Sequence, residues 1–389
     1  MRIQPILACA SLALLGMSLT SCQKQTPKAA DDLIVYFGTS TGDDEKGIYA
    51  YRFNPESGEL TSAGLAVAAP NPGFLAVHPS RRFLYAVSRM QGPDGKPAGA
   101  VSAFSIDHDT AKLTLLNTVS SGGAGPCHLS VDQTGRTLVV ANYGGGSVAS
   151  YRILADGQLE GPAAVFENSG TGPNPKRQTK PFLHSANYSP GNGFIIGADL
   201  GTDQLLVFRH DPAKASLEPN DPPYARVPPG GGPRHFAFHP NGRVGYAINE
   251  IGNTVTVLSW DESTGRFTEK QTISTLPEGF AETSHTAEIV VHPSGRFVYG
   301  SNRGHDSIAV FSVNQEDGTL APVEYKPSGG QWPRNFNLDP SGRYLFSANA
   351  NSGNVVIFRV DQETGRLTET GKVLEIPSAI CIRFVNRPS

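Results

Sequence analysis

One predicted hairpin brings an arginine, a histidine and a glutamate to the same place. Its strands are Arg234–His239 and Arg243–Ile248, and an Asn-Gly turn between two such runs is a strong hairpin signal. In an antiparallel hairpin the start of the first strand lies beside the end of the second, so we expect Arg234 and His235 next to Glu250. A guanidinium, an imidazole and a carboxylate in one place can bind an anion and transfer a proton.

The same hairpin is repeated along the chain. Equivalent turn positions recur about every 50 residues, at Pro79, Gln133, Pro190, Pro240, Pro293 and Pro340. Each copy continues into a second pair of strand-like runs, and four strands per unit are typical of a β-propeller blade. We number these copies as the first to sixth blades.

A seventh blade is divided between the two ends of the repeat region. Its outer strands are predicted at Ile34–Thr39, Ile48–Asn54 and Glu59–Ala63, and its innermost strand at Ser378–Phe384. Joining these strands closes the ring and removes the free sheet edge. The sequence therefore predicts an all-β fold, a seven-bladed β-propeller whose ring is closed by the N-terminal strands plus the C-terminal innermost strand.

Blade geometry divides the polar residues between two faces of the disc. Loops that precede the first strand or follow the second share one face, called the mouth here, and the hairpin turns form the opposite turn face. His78, His239 and His292 precede turns, so we interpret them as turn-supporting residues. An Asn or Asp recurs at the end of the second strand and is interpreted as scaffolding that binds loop backbone. This column consists of Asn142, Asp199, Asn249, Asn302 and Asn349.

Positions at the mouth that differ from blade to blade are the candidates for a functional site. They are His128, His184, Arg234, His235, Glu250, Glu288, Arg303 and Arg334. Charged and imidazole groups clustered at one mouth predict a polar binding pocket. The alternative interpretation is a ring of ion pairs that only ties the blades together.

A basic loop precedes the first strand of the third blade. Residues Asn168–Pro181 carry Lys176, Arg177 and Lys180 on the mouth face. A solvated run of charges is one interpretation. A flap that attracts anions over the mouth is the other.

Other patterns exclude several function classes. The formal net charge is −3 over 389 residues, which predicts no basic surface of the kind that binds nucleic acid. No His, Cys and Asp cluster has zinc spacing and no glycine-rich loop opens a helix, so we predict neither a metal nor a cofactor. The segment Gly38–Gly42 matches G-x-S-x-G without a following helix, so Ser40 is not predicted to be a nucleophile. Cys127 and Cys381 fall on innermost strands of non-adjacent blades and are expected as separate buried thiols.

The N-terminal segment is typical of an exported lipoprotein. Residues 1–21 combine a positive start with a short apolar core, as in a signal peptide. The tetrapeptide Leu19-Thr20-Ser21-Cys22 resembles a bacterial lipobox, in which the Cys is lipid-modified; an ordinary secretory signal with a chance Cys is the alternative. The predicted domains are this signal, a lipid-anchored tether over residues 22–32 and the propeller over residues 33–389. The resemblance implies that Gln23, rather than Asp, after the Cys favours the outer membrane in a cell that has one, so we predict a periplasm-facing envelope lipoprotein.

Long phrases across residues 33–385 resemble the seven-bladed lactonase, or 6-phosphogluconolactonase-type, propeller family, which is related to carboxymuconate-lactonizing enzymes. These phrases include GPCHLSVD, ANYGGGSVA, GPNPKRQ, GPRHFAFHPNGR, AEIVVHPSGRFVYGSNRGHDSIAVF and WPRNFNLDPSGR. Two departures touch the mouth. The family usually shows a P-H-x-H run where this chain has Pro181-Phe182-Leu183-His184, and N-E where the first blade has Ser88-Arg89.

The resemblance implies a lactone hydrolase of the 6-phosphogluconolactonase type that acts in carbohydrate and glucose metabolism. The positions that look catalytic are His184, Arg234, Glu250 and Arg303. Further pocket residues expected to bind substrate are His128, His235, Glu288, Arg334 and Arg177.

Opening a lactone requires water activated by a base and charge stabilisation on the carbonyl oxygen. Either His184 or His235 is the predicted base. Arg234 and Arg303 would hold the anionic group of the substrate or the developing oxyanion. Glu250 would orient Arg234 or a proton-carrying histidine.

The expected partner is a small anionic lactone or organic acid, with no nucleic acid, no membrane contact beyond the lipid anchor, and a monomeric chain. Two alternatives stay open. One is a carboxymuconate-type enzyme that lactonises an unsaturated diacid, and the other is a non-catalytic ligand-binding propeller on the envelope. Because sugar phosphates are made in the cytosol, an envelope location favours an unphosphorylated lactone.

Overall fold

The computed structural model describes residues 1, 32–40, 46–91 and 97–388. The predicted signal peptide beyond Met1, the lipobox Cys22 and the tether up to residue 31 lie outside the described residues. Within the described ranges the secondary structure consists of strands, and no helix there is long and apolar enough to cross a membrane.

The strands group into seven four-stranded antiparallel sheets, the blades of a propeller. The described strands start with β1 (Leu33–Thr39), β2 (Gly47–Phe53) and β3 (Leu60–Ala68) of the seventh blade. The first blade contains β4 (Leu75–Val77), β5 (Phe83–Gln91), β6 (Pro97–Ile106) and β7 (Leu113–Ser120). The second contains β8 (Pro126–Val131), β9 (Thr137–Asn142), β10 (Ser147–Ile153) and β11 (Leu159–Glu167). The third contains β12 (Leu183–Tyr188), β13 (Phe194–Asp199), β14 (Gln204–Arg209) and β15 (Glu218–Arg226).

Three more complete blades and one closing strand follow. The fourth blade contains β16 (Pro233–Phe238), β17 (Val244–Asn249), β18 (Thr254–Asp261) and β19 (Arg266–Ser274). The fifth contains β20 (His285–Val291), β21 (Phe297–Arg303), β22 (Ser307–Val313) and β23 (Leu320–Pro327). The sixth contains β24 (Pro333–Leu338), β25 (Tyr344–Asn349), β26 (Asn354–Val360) and β27 (Leu367–Glu375). The last strand is β28 (Ala379–Val385).

The seventh blade is closed as predicted. Its strand order is β28-β1-β2-β3, with β28 antiparallel to β1. The predicted bounds differ most at β3, which continues to Ala68 because two register shifts against β2 absorb irregular residues. The seven-bladed propeller is therefore confirmed.

The core lies between neighbouring blades. The second strand of the fourth blade, β17, is buried at every residue, whereas its outermost strand, β19, is mostly exposed. Tyr246 and Val257 of this blade pack with Val298 and Phe311 of the fifth. A strand covered on both faces needs apolar side chains on both faces, which explains the continuous hydrophobic runs of the second strands.

Histidines of the turn face support turns, as predicted. His239 accepts a hydrogen bond at Nδ1 from Asn241 N at 3.1 Å, and its Nε2 donates to Gly295 O of the next blade at 2.8 Å. His292 repeats this arrangement with Ser294 N and Gly342 O. Each ring therefore joins its own turn to the turn of the following blade.

The Asn and Asp column at the ends of the second strands is scaffolding. Asn142 Nδ2 donates to Ser121 O at 2.9 Å, and Asn302 Nδ2 donates to Thr275 O at 2.8 Å. Asp199 accepts hydrogen bonds from the backbone N–H of Phe182, directly before β12, and from that of Gly201, shortly after β13. These contacts hold the loops of the mouth at fixed positions.

Candidate active site

A β-bulge near the mouth interrupts the innermost strand in six blades. The residues between the shifted pairs are Cys127, His184, Arg234, Ala287 with Glu288, Arg334 and Ile380. A bulge leaves its extra residue unpaired and re-aims the side chain. Arg234 and His235 are neighbours in sequence, yet both line one cavity for this reason.

A cavity of about 150 Å³, called the mouth cavity here, opens among these bulges. Its polar wall is formed by Cys127, His184, Arg234, His235 and Arg334. The lining is completed by Ser40, Asn71, Gly73, Phe74, Val87, Pro126 and Ile380. Typical drug-sized sites are about 300–1,000 Å³, so this volume suits a small ligand.

Glu250 holds three arginines beside this cavity. Its Oε2 lies 3.0 Å from Arg234 Nε and 2.7 Å from Arg303 Nη2, and its Oε1 lies 2.5 Å from Arg177 Nη2. The predicted proximity of Arg234 and Glu250 is thus confirmed. Burial alone would raise the pKa of Glu250, but the nearby Arg303, Arg234 and Arg177 lower it to about 2. Glu250 is therefore ionised at neutral pH and offsets part of a strongly positive cluster.

Arg234 faces the cavity and remains a cation. Its Nη1 donates to Ala287 O at 2.6 Å and to His235 Nε2 at 3.1 Å. Burial, with Arg303 and Arg334 nearby, lowers the pKa of Arg234 to about 9. At neutral pH its charge is therefore available to an anion in the cavity.

The Arg303 side chain binds backbone carbonyl groups of its own blade and does not line the cavity. Besides Glu250 it binds Thr286 O through Nη2 at 2.7 Å and His285 O through Nε at 3.3 Å. The Trp332 ring lies 5.4 Å from its Cζ. In this position Arg303 pairs with Glu250 and lowers the pKa of its carboxyl group.

His235 uses both ring nitrogens within the protein. Its Nδ1 donates to Glu288 Oε1 at 2.7 Å, and its Nε2 accepts from Arg234. The carboxylate of Glu288 also accepts from Asn335 Nδ2 and from Ile289 N. Because both nitrogens are occupied, His235 is poorly placed to take a proton from water.

His184 is buried beside Cys127 and is the freer of the two histidines. Cys127 Sγ lies 3.7 Å from His184 Nδ1, and burial raises the pKa of this thiol to about 12. Cys127 was expected to be buried, but it is half-buried because its bulge turns it into the cavity. Burial, followed by the charge of Arg234, lowers the pKa of His184 well below its usual value. His184 is therefore a neutral imidazole at neutral pH.

Arg334 is the unpaired cation of the mouth cavity. It is half-buried, and within the described ranges it forms no ion pair or hydrogen bond. A guanidinium in this state has all five N–H groups available to a ligand.

Three rings in tilted or edge-on contact lie at the base of the mouth cavity. Phe74 lies 4.2 Å from His128 and 5.8 Å from His235 between ring centroids, and the two histidine rings are 5.3 Å apart. His128 and Glu288 line cavities on the turn-face side of these rings. The structure thus places both of these predicted substrate-binding residues behind the mouth cavity.

The basic loop Asn168–Pro181 is braced against the third blade. Gln178 is fully buried and donates through Nε2 to Leu200 O at 2.9 Å and to Asp203 Oδ1 at 2.6 Å. Arg177 reaches Glu250, whereas Lys180 Nζ donates to Gly144 O at 2.7 Å. The loop therefore contributes one charge to the site from a fixed position.

Tyr143 belongs to the site although it was not among the predicted residues. Its ring stacks on Phe182 at 4.8 Å and meets His184 edge-on at 5.2 Å between centroids. A signal was present, because Tyr143 follows the scaffold Asn of its blade just as Glu250 and Arg303 follow theirs.

Comparisons with known proteins agree with this architecture. The family model described as "Lactonase, 7-bladed beta-propeller" matches residues 34–384. A 6-phosphogluconolactonase of Bacillus subtilis (strain 168) is 37% identical over 91% of this chain and 99% of its own length. The structure of the periplasmic gluconolactonase of Pseudomonas aeruginosa superposes with a TM-score of 0.84 at 31% identity, covering 92% of this chain and 100% of that one. A structure from Bacteroides fragilis NCTC 9343, described as a candidate 6-phosphogluconolactonase, gives 0.85 at 36% identity, covering 92% and 99%.

Proposed function

The chain belongs to the seven-bladed β-propeller lactonase family and is a lactone hydrolase, and on that premise we propose that it opens an unphosphorylated sugar-acid lactone in the mouth cavity. The observation that carries this proposal is a neutral, buried His184 in one small cavity with the cations Arg234 and Arg334. The cavity volume of about 150 Å³ suits a monosaccharide-sized ring.

In the proposed reaction His184 is the base. It takes a proton from a water molecule as the water oxygen attacks the lactone carbonyl carbon. The carbonyl oxygen becomes an oxyanion, which the Arg234 and Arg334 guanidiniums stabilise. The ring C–O bond then breaks, and the departing oxygen takes the proton from the His184 imidazolium. The product is an open hydroxy acid, which releases a proton to solvent.

Glu250 and its arginines provide the electrostatic setting. Arg177, Arg234, Arg303 and Arg334 carry four positive charges, and Glu250 and Glu288 carry two negative ones. This excess favours the negative charge that develops on the substrate. Arg303 and Arg177 act through Glu250, which fixes the Arg234 guanidinium beside the cavity.

The location is part of the proposal. The relative from Pseudomonas aeruginosa is described as periplasmic, which supports a periplasmic location here. The finer proposal, a lipoprotein attached through Cys22 to the outer membrane, rests on the Leu19-Thr20-Ser21-Cys22 motif. Replacing Cys22 with Ala is expected to release the protein from the membrane fraction, and unchanged fractionation would contradict the lipid anchor.

The proposed function is tested with a panel of lactones. Hydrolysis of glucono-, phosphoglucono- and acyl lactones by the purified protein is followed in a pH-stat, and gluconolactone is expected to react with the highest kcat/KM. Faster hydrolysis of the phosphorylated lactone would contradict the substrate proposal. Binding of an anion without turnover of any lactone would indicate a binding propeller.

The same panel is measured with a chelator present. Among the described residues no three His, Cys, Asp or Glu side chains are placed to hold a metal ion. Arginines outnumber carboxylates at the mouth, which makes a poor cage for a hard cation. We therefore expect unchanged hydrolysis in the chelator, and a loss restored by Ca²⁺ would contradict this expectation.

A further inference from the structure

One buried carboxylate ties together two loops of the mouth. Asp203 follows β13 in the third blade and is 3% exposed. Its Oδ1 accepts hydrogen bonds from Gln178 Nε2 at 2.6 Å and Gly232 N at 2.8 Å, and its Oδ2 accepts from Gly230 N at 2.7 Å. Asp203 lines no part of the mouth cavity, so any effect on the reaction must pass through these loops.

The contact with Gln178 fixes the loop that carries Arg177. The Gln178 Oε1 accepts from Asn174 N at 2.9 Å, and Asn174 Oδ1 accepts from Arg177 N at 3.1 Å. The guanidinium at the end of this short chain of contacts then reaches Glu250. Removing the Asp203 acceptor would leave Gln178 buried with an unpaired N–H group.

The contact with Gly232 fixes the backbone of Glu250. Gly232 donates its N–H to Asp203, and its carbonyl oxygen accepts from Glu250 N at 2.8 Å. Gly232 also lies two residues before Arg234, with a φ of +65° that favours glycine. Both partners of the Arg234–Glu250 ion pair are therefore held by the same short turn.

The position of Asp203 is repeated around the ring, but its contacts are not. The equivalent residues, all with φ between +50° and +68°, are Gly146, Asn253, Asp306 and Gly353. Asp306 binds Gly304 N in its own turn and Trp332 N before the next blade. Within the described ranges, Asp203 is the member of this column whose side chain also reaches the loop before the first strand of its own blade.

We propose that Asp203 is a positioning residue for lactone hydrolysis, because its carboxylate holds Arg177 and the backbone of Glu250 in the arrangement that places Arg234 at the cavity. It lies outside the mouth cavity, so its proposed role is to position other residues. The inference rests on the proposed function, since hydrolysis at the mouth is one of its readouts. The substitution Asp203→Asn keeps the shape but turns an NH₂ group toward N–H donors, so at least one of the three contacts is lost.

A matched control is available on the turn face. Asp339 is 1% exposed and accepts from Ser341 N at 3.0 Å and Tyr344 N at 2.7 Å. Asp339→Asn makes the same chemical change at similar burial. We expect D203N to lower kcat/KM about ten- to a hundredfold, as displaced groups do, while D339N lowers Tm with kcat/KM unchanged. Equal kcat/KM in the two variants would overturn the proposal.

A double-mutant cycle separates positioning from general destabilisation. Arg177→Gln is introduced into the wild type, D203N and D339N, using full-length protein in mild detergent. We expect Arg177→Gln to lower kcat/KM by the same factor in the wild type and in D339N. In D203N it should lower kcat/KM little further, because Arg177 is already released there. Gln178→Ala, which removes only one arm of the brace, should uncouple Arg177 in the same way. If Arg177→Gln lowers kcat/KM by the same factor in D203N as in D339N, the proposal is overturned.

Limited digestion with trypsin gives a readout that does not depend on activity. The loop offers Lys176 and Arg177 as cleavage sites, whereas Lys180 precedes Pro181 and is not cut by trypsin. We expect D203N to be cut there faster than the wild type and D339N under native conditions. If the wild type hydrolyses no lactone, the proposed function fails, but the cleavage rates still test whether Asp203 holds the loop. Equal cleavage of D203N and D339N would refute that role.

Discussion

Histidines of the turn face and histidines of the mouth show one residue type in two kinds of environment. At the turn face the ring accepts from a backbone N–H of its own turn at Nδ1 and donates from Nε2 to a glycine carbonyl of the next blade. This pattern holds for His78 with Gly135, His239 with Gly295 and His292 with Gly342. A contact repeated in three blades is part of the scaffold.

The mouth histidines share no such pattern. His235 is paired with Glu288 and Arg234, His184 lies beside Cys127, and the His128 ring packs on Phe74. Burial lowers the pKa of all three, and Glu288 opposes this lowering at His235 only. Each ring therefore has its own electrostatic surroundings and its own possible role.

The difference teaches where to look for function in a repeat protein. Positions that repeat with the same contacts are fixed by the need to join blades, so their loss should cost stability. Positions that vary between blades are free of that need, so their loss should cost activity. Each prediction below challenges this division, starting with the largest expected effect.

Removing the His184 imidazole should abolish most of the lactone hydrolysis. In His184→Ala the proposed base is lost, and general base catalysis contributes about 10²- to 10⁴-fold. We expect kcat to fall by that factor, with KM changed only a few-fold, in the pH-stat assay. His239→Ala measured beside it should retain the wild-type kcat. If both variants lose kcat equally, the division between mouth and turn face is wrong.

Removing Arg303 should weaken binding and rate together. Arg303→Ala deletes one ion pair of Glu250, and hydrogen bonds to charged groups contribute about 1.5–3 kcal/mol, or roughly ten- to a hundredfold in kcat/KM. We expect an increased KM and a decreased kcat, because the cluster favours negative charge in the ground and transition states alike. Arg303→Lys keeps the charge and should recover part of the loss. A change in Tm alone would place Arg303 with the scaffold.

Removing a turn histidine should cost stability and leave catalysis intact. His239 is 6% exposed, and His239→Ala removes its hydrogen bonds to Gly295 O and from Asn241 N, while Gln315 Nε2 still donates to Gly295 O at 3.1 Å. Two lost hydrogen bonds at about 0.5–1.5 kcal/mol each should lower Tm by a few degrees. The measurement is a thermal melt together with kcat/KM at a temperature well below Tm. An unchanged Tm would mean that the repeated contact is incidental.

The sequence was sufficient to predict the fold because a Pro-x-Gly-Arg turn, or a variant of it, recurs at the same place in six of the seven blades. Local turn chemistry fixes each hairpin, and the split blade follows from the need to close the ring. Strand ends were less predictable: β4 contains only Leu75–Val77, and β3 passes through Gly64 without ending. Packing against the neighbouring blade decided those bounds.

The site was predictable only in part. The hairpin register brought Arg234 to Glu250, but nothing in the sequence marked the bulges that turn Arg234 and His184 into one cavity. Nor did spacing indicate that Arg177 and Arg303 meet on Glu250, because those contacts cross blades. The signal for Asp203 was incomplete, since Gly146 and Gly353 in its column need only left-handed backbone but Asp306 is a second carboxylate with different contacts.

The smallest predicted effect is a shift in the pH profile. The base must be neutral, and burial with Arg234, His235 and Arg334 lowers the pKa of His184 below 6.5. We therefore expect kcat/KM to rise as pH increases through that lowered pKa and to be level around neutrality. An inflection at or above about 6.5 would indicate an exposed imidazole as the base.

The sign of the shift can be tested by removing one cation. Arg334→Gln takes away a positive charge that disfavours the imidazolium, so the pKa of His184 should rise and the inflection should move to higher pH. Arg366→Gln is the matched control, because Arg366 is exposed directly before the outermost strand β27 and pairs with Glu324. Its inflection should stay at the wild-type pH. A shift to lower pH in R334Q, or an equal shift in both variants, would mean that the titrating base does not share a cavity with Arg334.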